Sequence, residues 1–334
     1  MKTNRRSALR RAGLCLASLC LAVPSIGHAA TFAKGADVGW VSQEESSGYS
    51  FYSSAGVKTD PFVLLKALGT NAVRLRVWVN PSGGWCNGAD VLYKAKRAAA
   101  QGMRIMIDFH YSDSWADPGQ QTVPAAWAGH TVAQLNQDVY SHTQGILSYL
   151  KTNGITVTWV QVGNEINGGM LWPQGSTSHA SQLAGFINNG YQATKAVYPS
   201  ALVVLHLANG YYDAGFRTFF DSMKSAGAQW DVIGLSHYPS TSNWSSLNSQ
   251  ISTTMTDMVS RYGKPVIVSE VGMDWQSAST TSKMMADLIS RVQSLGSNGL
   301  GVFYWEPEAY PGWQGYTLGA VDGSGHFTAA LDPY

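Results

Sequence analysis

A regular alternation of short apolar runs and longer amphipathic stretches constrains the fold of this chain more than any other feature. Eight apolar runs of strand length lie at residues 34–39, 72–79, 104–109, 156–162, 202–207, 232–235, 265–269 and 301–305. Stretches with helical periodicity lie between them, at 61–68, 91–101, 132–151, 180–197, 216–226, 247–262 and 282–295. Strand–helix repeats predict a parallel sheet, and eight repeats in one domain favour closure into a barrel. We therefore predict the α/β class and a single (β/α)₈ TIM barrel.

The N-terminal segment is typical of an export signal. Lys2 and four arginines precede an apolar run at 12–23, and small residues surround Ala29. The run is too short for a stable membrane span. We predict a signal peptide at residues 1–29, cleavage near Ala29, one catalytic barrel domain at 30–334, and a secreted or periplasmic protein. The pair Arg5-Arg6 is compatible with both a general and a twin-arginine signal, so the export route stays open.

The charge of the remaining chain bears on its partners. Without residues 1–29 the chain keeps 17 basic and 21 acidic residues, a formal net charge of −4. Binding to nucleic acid or to an anionic membrane needs clustered Lys and Arg, and no such cluster is present. We therefore expect an uncharged partner, a polysaccharide, with no binding to nucleic acid or membrane. We also predict a monomeric protein. Cys86 is the one cysteine outside the signal, which excludes an internal disulfide in the processed chain.

Polar side chains follow the predicted strands at their carboxyl ends, where barrel enzymes carry their chemistry. Glu165 ends the fourth predicted strand and Glu270 the seventh. Cleavage of a glycosidic bond needs two carboxyl groups, and in a retaining enzyme they lie about 5 to 5.5 Å apart. At that distance one carboxyl must stay protonated near neutral pH. We predict Glu165 and Glu270 as the catalytic pair.

Cofactor and metal chemistry are not favoured by the sequence. No glycine-rich nucleotide fingerprint follows the first predicted strand. His110, His206 and His237 lie near strand ends but form no H-x-H pair, so hydrogen bonding to hydroxyls or carboxylates suits them better than metal binding. We predict neither a cofactor nor a metal, calcium included.

The strand-end motifs carry a family resemblance. Asn164-Glu165 with Glu270 is similar to the signature of a large clan of retaining glycosidases on this barrel. Within that clan the chain resembles the arabinogalactan endo-beta-1,4-galactanases, glycoside hydrolase family 53. The matching segments are 35–38, 74–78, 108–118, 161–166, 171–173, 236–239 and 305–307.

The resemblance implies a role for each matching residue. Glu165 would be the general acid/base and Glu270 the nucleophile, with Arg76 and Tyr238 keeping Glu270 ionised. Asn164 would donate to the sugar 2-hydroxyl, a contact that strengthens in the transition state. The implied substrate-binding set is Asp37, Arg76, His110, Asp113, Trp115, Asn164, Trp172, His237, Tyr238 and Trp305. Trp305 would floor the subsite of the cleaved sugar, and Trp115 and Trp172 would stack on flanking rings.

Two alternatives remain open at this point. A mannanase or a xylanase needs the same carboxylate pair and differs in which hydroxyls its loops contact. A non-catalytic sugar-binding barrel would lack one of the carboxylates, and both are present here. The interpretation we favour is internal cleavage of beta-1,4-galactan in pectin side chains with retention of configuration.

Overall fold

Eight parallel strands close into a barrel in chain order, each hydrogen-bonded to the next and β1 to β8. The computed structural model describes residue 1 and residues 31–334, so the predicted signal peptide at 1–29 falls almost wholly outside the described residues. The strands are β1 (Ala33–Asp37), β2 (Ala72–Val77), β3 (Arg104–Phe109), β4 (Trp159–Val162), β5 (Leu202–Leu207), β6 (Val232–His237), β7 (Val266–Val271) and β8 (Gly299–Tyr304). The predicted (β/α)₈ barrel is confirmed.

Eight α-helices occur among the described residues. They are α1 (Val41–Ser46), α2 (Pro61–Ala67), α3 (Gly88–Ala100), α4 (Val132–Thr152), α5 (Ala180–Val197), α6 (Asp213–Ser225), α7 (Trp244–Tyr262) and α8 (Ala278–Gln293). The short helix α1 follows β1 directly and was not predicted. None of the helices in the described part of the chain has the length and apolar character needed to cross a bilayer.

Local sequence explains where several helices begin and end. The Asp60 carboxylate accepts from the Phe62 amide, and Pro61 occupies the first helical position of α2. At the start of α4, Thr131 and Gln134 form a reciprocal capping box. Gly263 ends α7 with a φ of 61°, a left-handed conformation that glycine adopts at little cost.

The inside of the barrel changes from apolar to polar along the strand direction. Its lower layer takes one side chain from each strand: Ala33, Ala72, Met106, Trp159, Val204, Val232, Ile267 and Phe303. Further along the same faces lie buried polar groups such as Arg74, Asp108 and Glu270. The second core lies between the strands and the helices and is mainly apolar, with a few buried polar residues such as Asn248 on α7. The buried polar side chains therefore lie at the carboxyl end of the barrel, where the loops meet.

Candidate active site

A cavity of about 420 Å³ opens at the carboxyl end of the barrel. Both predicted catalytic glutamates border it. The residues that line it are Trp40, His110, Trp115, Ala116, Asp117, Asn164, Glu165, Tyr238, Glu270, Trp305, Gln314, Gly315 and Tyr316. The strand-end prediction thus located the cavity correctly, because carboxyl ends of parallel strands converge at one rim.

Glu165 is the third residue after β4 and has a left-handed backbone conformation with a φ of 45°. For a residue other than glycine such a conformation costs on the order of 1 kcal/mol or more, and it is found at functional sites. The turn is held by Gln121, whose amide nitrogen donates to the Asn164 carbonyl at 2.9 Å. Ser236 Oγ, on β6, lies 2.5 Å from Glu165 Oε1. The carboxyl is therefore positioned by backbone and side-chain contacts together.

Glu270 lies on β7 and is 5% exposed. The Tyr238 hydroxyl donates to its Oε2 at 2.7 Å, and Arg74 Nη1 lies 2.9 Å from its Oε1. Both carboxylate oxygens thus receive a donor. A register shift between Leu235 and Ser236 on β6 brings Ser236 opposite Glu270.

The two carboxyl groups have different electrostatic surroundings. Burial, followed by the negative charge of Glu270, raises the pKa of Glu165 to about 8. Burial also raises the pKa of Glu270, but the Arg74 charge and the Tyr238 hydroxyl act to lower it. With these two donors on Glu270, the proton of the pair resides on Glu165 near neutral pH.

Arg74 is the centre of a buried polar cluster beneath the cavity. Its guanidinium pairs with Asp37, lies 2.9 Å from Asp108 Oδ2 and donates to Asn164 Oδ1 at 2.7 Å. Because one fully buried cation serves three carboxylates, its charge is retained even in this low-dielectric site. Arg74 thus links Asp37, Asp108 and Asn164 into one buried cluster.

His110 extends this cluster toward the cavity. Its Nδ1 accepts from the Ala116 amide and from the Trp78 indole, both at 3.2 Å. Since both partners can only donate, the proton of the ring lies on Nε2, which donates to Asp108 Oδ2 at 3.0 Å. The ring is thus fixed in one tautomer at the cavity wall.

Aromatic side chains form one wall of the cavity. The ring centroid of Trp305 lies 5.0 Å from that of Trp40, 5.9 Å from that of Trp115 and 4.6 Å from that of Tyr316. A second cavity of about 240 Å³ shares Trp40, Trp115 and Gln314 with the first. Aromatic faces suit the apolar faces of sugar rings. The two cavities therefore adjoin along a shared aromatic wall.

Residues 33–333 match the family model described as Glycosyl hydrolase family 53. The chain belongs to glycosyl hydrolase family 53. It is therefore a glycoside hydrolase, and the resemblance found in the motifs is confirmed over nearly the whole described chain.

Relatives in family 53 are similar over most of their length. The "Probable arabinogalactan endo-beta-1,4-galactanase A" of Neosartorya fischeri is 33% identical, with 85% of this chain and 86% of the relative covered. The "Endo-beta-1,4-galactanase" of Bacillus subtilis is 32% identical, covering 84% and 71%. A solved fungal beta-1,4-galactanase has a TM-score of 0.84 at 29% identity, covering 90% of this chain and 98% of that structure.

Arg76 does not hold Glu270 as predicted for this family 53 chain. Its guanidinium pairs with Glu306 and lies 4.6 Å from the Trp115 ring centroid. Arg76 lies two residues closer to the rim than Arg74, so it reaches the loop after β8, whereas Arg74 reaches the centre. The predicted role of Arg76 is wrong, and Arg74 performs it.

Three more predicted substrate contacts lie elsewhere. His237 is fully buried and its Nε2 lies 2.7 Å from Asn248 Oδ1 on α7, so the prediction that it binds substrate is wrong. Being next to Ser236 on a strand, it faces the opposite side of the sheet. Asp37 lies beneath the cavity, paired with Arg74. Trp172 lines neither cavity, and its indole donates to the Gly168 carbonyl at 2.9 Å.

Asp113 lies at the edge of the second cavity, where its carboxylate accepts from the Asn80 and Ala125 amides. Its side chain therefore holds two loops together at the rim. Whether it also contacts sugar stays a prediction.

Several site residues were missed in the sequence. Trp40, Asp117 and Tyr316 line the cavity from loops, where no periodic pattern marks a position. Arg74 and Glu306 lie at or just beyond strand ends within the matching segments, but the sequence assigns neither a specific role. Within the described residues, no group of three His, Cys, Asp or Glu side chains is placed to share a metal ion. The absence of a metal or a cofactor stays a prediction.

Proposed function

We propose that this chain is an endo-beta-1,4-galactanase that cleaves galactan with retention of configuration. One observation carries the proposal: Glu165 and Glu270 border one cavity, and both carboxylate oxygens of Glu270 receive a donor, one from Arg74 and one from Tyr238. The names of the family 53 relatives support galactan as the substrate. We propose that its natural substrate is the galactan side chain of pectin.

Glu165 acts first as a general acid. It protonates the glycosidic oxygen while Glu270 attacks the anomeric carbon and the bond to the leaving sugar breaks. The product of this step is a glycosyl ester on Glu270. Glu165, now ionised, takes a proton from water, and the resulting hydroxide displaces Glu270 from the anomeric carbon. Two inversions give net retention.

Asn164 is arranged to bind the sugar next to the reacting carbon. Its amide nitrogen donates one hydrogen to the Ala116 carbonyl at 2.8 Å, and its oxygen accepts from Arg74. The second amide hydrogen stays available on a side chain that lines the cavity. We expect it to donate to the 2-hydroxyl, which fits the role that the motif implies.

The extended aromatic cleft supports internal cleavage. Its two cavities share a wall of Trp40 and Trp115, so a chain of several sugars can lie across the rim. Aromatic walls of this kind bind successive rings with little dependence on chain ends.

We also propose that the segment at 1–29 directs export, and that the protein is a monomer.

A substrate panel tests the proposal. Reducing-end release is measured on purified beta-1,4-galactan, mannan and xylan, alongside the fall in viscosity. We expect activity confined to galactan and a rapid early loss of viscosity, as internal cleavage requires. The Glu270→Gln variant is the control for contaminating enzymes and should be inactive while still binding galactan. Activity on mannan or xylan alone, or an unchanged rate in Glu270→Gln, would contradict the proposal.

A further inference from the structure

A chain of buried polar groups leads from Asn164 to Glu165, and the direction of each hydrogen bond in it can be worked out. Arg74 can only donate, so the Asn164 atom that it contacts at 2.7 Å is the amide oxygen. The other amide atom donates to the Ala116 carbonyl, which agrees with this orientation. Asn164 Oδ1 also lies 3.0 Å from His206 Nδ1. Since an amide oxygen can only accept, the proton of His206 lies on Nδ1.

The next link is set by the charge of His206. The ring is completely buried, and burial together with the Arg74 charge and His110 lowers its pKa well below the usual value. The charged or titratable groups that face it are Arg74, His110 and, through Ser236, Glu165; Asp108 lies beyond Gln161. A neutral ring with its proton on Nδ1 has a lone pair on Nε2.

Ser236 must then donate to His206. Its Oγ lies 2.8 Å from His206 Nε2 and 2.5 Å from Glu165 Oε1. A hydroxyl has one hydrogen, so beside an ionised Glu165 it can be donated to the neutral ring or to the carboxylate, but not to both. The two contacts of Ser236 Oγ together therefore need a proton from Glu165. Each of the three contacts has one donor when Glu165 is a neutral acid.

We propose that His206 and Ser236 form a hydrogen-bond relay that selects the protonated form of Glu165, the form that the first step of the proposed function needs. Both are positioning residues, because they act through Glu165 and do not touch the reacting atoms. When Glu165 gives its proton to the glycosidic oxygen, the Ser236 hydroxyl can rotate toward the carboxylate. The transfer breaks the hydrogen bond from Glu165 to Ser236; His206 and Ser236 keep their own protons, but His206 Nε2 loses its donor when the hydroxyl turns. The ionised state thus has one hydrogen bond fewer and is disfavoured.

The relay reverses the effect normally expected of a serine beside a carboxylate. A serine that simply donates to Glu165 stabilises the ionised form. In the relay, Ser236 accepts from the neutral form instead. The two arrangements predict opposite shifts, when Ser236 is replaced, in the pH at which Glu165 loses its proton. Replacing His206 shifts that pH only if the relay exists.

The alkaline limb of kcat/KM on galactan distinguishes the two arrangements. We expect His206→Leu to move this limb down by about one pH unit, because Ser236 is then free to donate to the carboxylate. Ser236→Ala should move it down as well. Ser269→Ala, the same change at a buried serine of β7, is the matched control and should leave the limb in place. An upward shift in Ser236→Ala with no shift in His206→Leu would overturn the relay.

Two measurements that need no activity separate this inference from the proposed function. Nitrogen-15 NMR of the histidines of the unaltered protein should find His206 protonated on Nδ1. Infrared difference spectra against Glu165→Gln should contain a carboxylic acid C=O band at pH 7 that weakens in His206→Leu. A proton on Nε2, or a band that His206→Leu does not change, would overturn the relay. Failure to cleave galactan with both spectra as expected would overturn the proposed function alone.

Discussion

Arg74 Nη1 lies 2.9 Å from Glu270 Oε1, and this ion pair is formed by the deeper of the two arginines on β2. The other, Arg76, pairs with Glu306 in the loop after β8. The neighbouring Arg residues on one strand face thus serve two different carboxylates. Glu270 depends on the first and Glu306 on the second.

A pair of lysine variants tests this division. Arg74→Lys keeps the charge but loses several of the contacts of the guanidinium, so we expect the pKa of Glu270 to rise. Because the nucleophile must be ionised, the acid limb of kcat/KM should move to higher pH and kcat/KM should fall roughly 10- to 100-fold. Arg76→Lys should leave the acid limb in place. If the acid limb moved in Arg76→Lys and not in Arg74→Lys, Arg76 would be the residue that keeps Glu270 ionised.

Loss of the acid at high pH is a second prediction. The pKa of Glu165 is raised to about 8, so its proton is present below that pH and lost as the pH rises through it. We expect kcat/KM on galactan to fall above about pH 8. A dinitrophenyl galactobioside has a leaving group that needs no protonation, and its hydrolysis should lack this limb. An alkaline limb shared by both substrates would assign it to another group.

Trp305 and Trp172 provide a matched test of the aromatic wall. Trp305 lines the main cavity, whereas Trp172 lines neither cavity. We expect Trp305→Ala to lower kcat/KM on galactan by roughly tenfold or more, equivalent to about 1.4 kcal/mol. Trp172→Ala should change it much less. Equal losses in kcat/KM would indicate that bound galactan reaches Trp172 beyond the two cavities, as the motif implied.

Glu308 is predicted to make stability depend on pH. It is fully buried, and burial with the charge of Glu306 raises its pKa well above the usual value. The folded protein therefore keeps a proton on Glu308 that the unfolded chain releases. The stability that this protonated carboxyl contributes is lost progressively as the pH rises above about 4.5.

Urea denaturation between pH 5 and pH 8 measures this dependence. The free energy of unfolding should fall with rising pH, and Glu308→Gln should reduce that fall by about 1.4 kcal/mol per pH unit. Asp332→Asn, at an exposed carboxylate, is the control and should not change the slope. A slope that Glu308→Gln leaves unchanged would mean that Glu308 is already ionised when folded.

The barrel and its catalytic pair could be predicted because both follow from periodic patterns. Buried parallel strands are apolar runs, so a glutamate that ends one, such as Glu165, stands out in the sequence. The choice between Arg74 and Arg76 could not be made in this way. Both have the same strand face, and how far each side chain reaches depends on the three-dimensional position of its partners, Glu270 and Glu306.

Two further errors and omissions have similar physical causes. His237 lies in a matching segment at the end of β6, which predicts a place in the cleft, but strand alternation turns it toward Asn248 on α7. Trp40 and Tyr316 enter the cavity from loops whose course is set by tertiary contacts, and no pattern in the sequence marks them. Loop positions therefore limited the prediction of the sugar-binding surface.

The stereochemistry of the first product tests the central claim most directly. Proton NMR during galactan hydrolysis resolves the anomer released at the new reducing end before mutarotation. If Glu270 attacks and Glu165 activates water, the β-anomer must form first and the α-anomer must follow by mutarotation. An initial signal from the α-anomer would mean single inversion by water and would contradict the assignment of Glu270 as nucleophile.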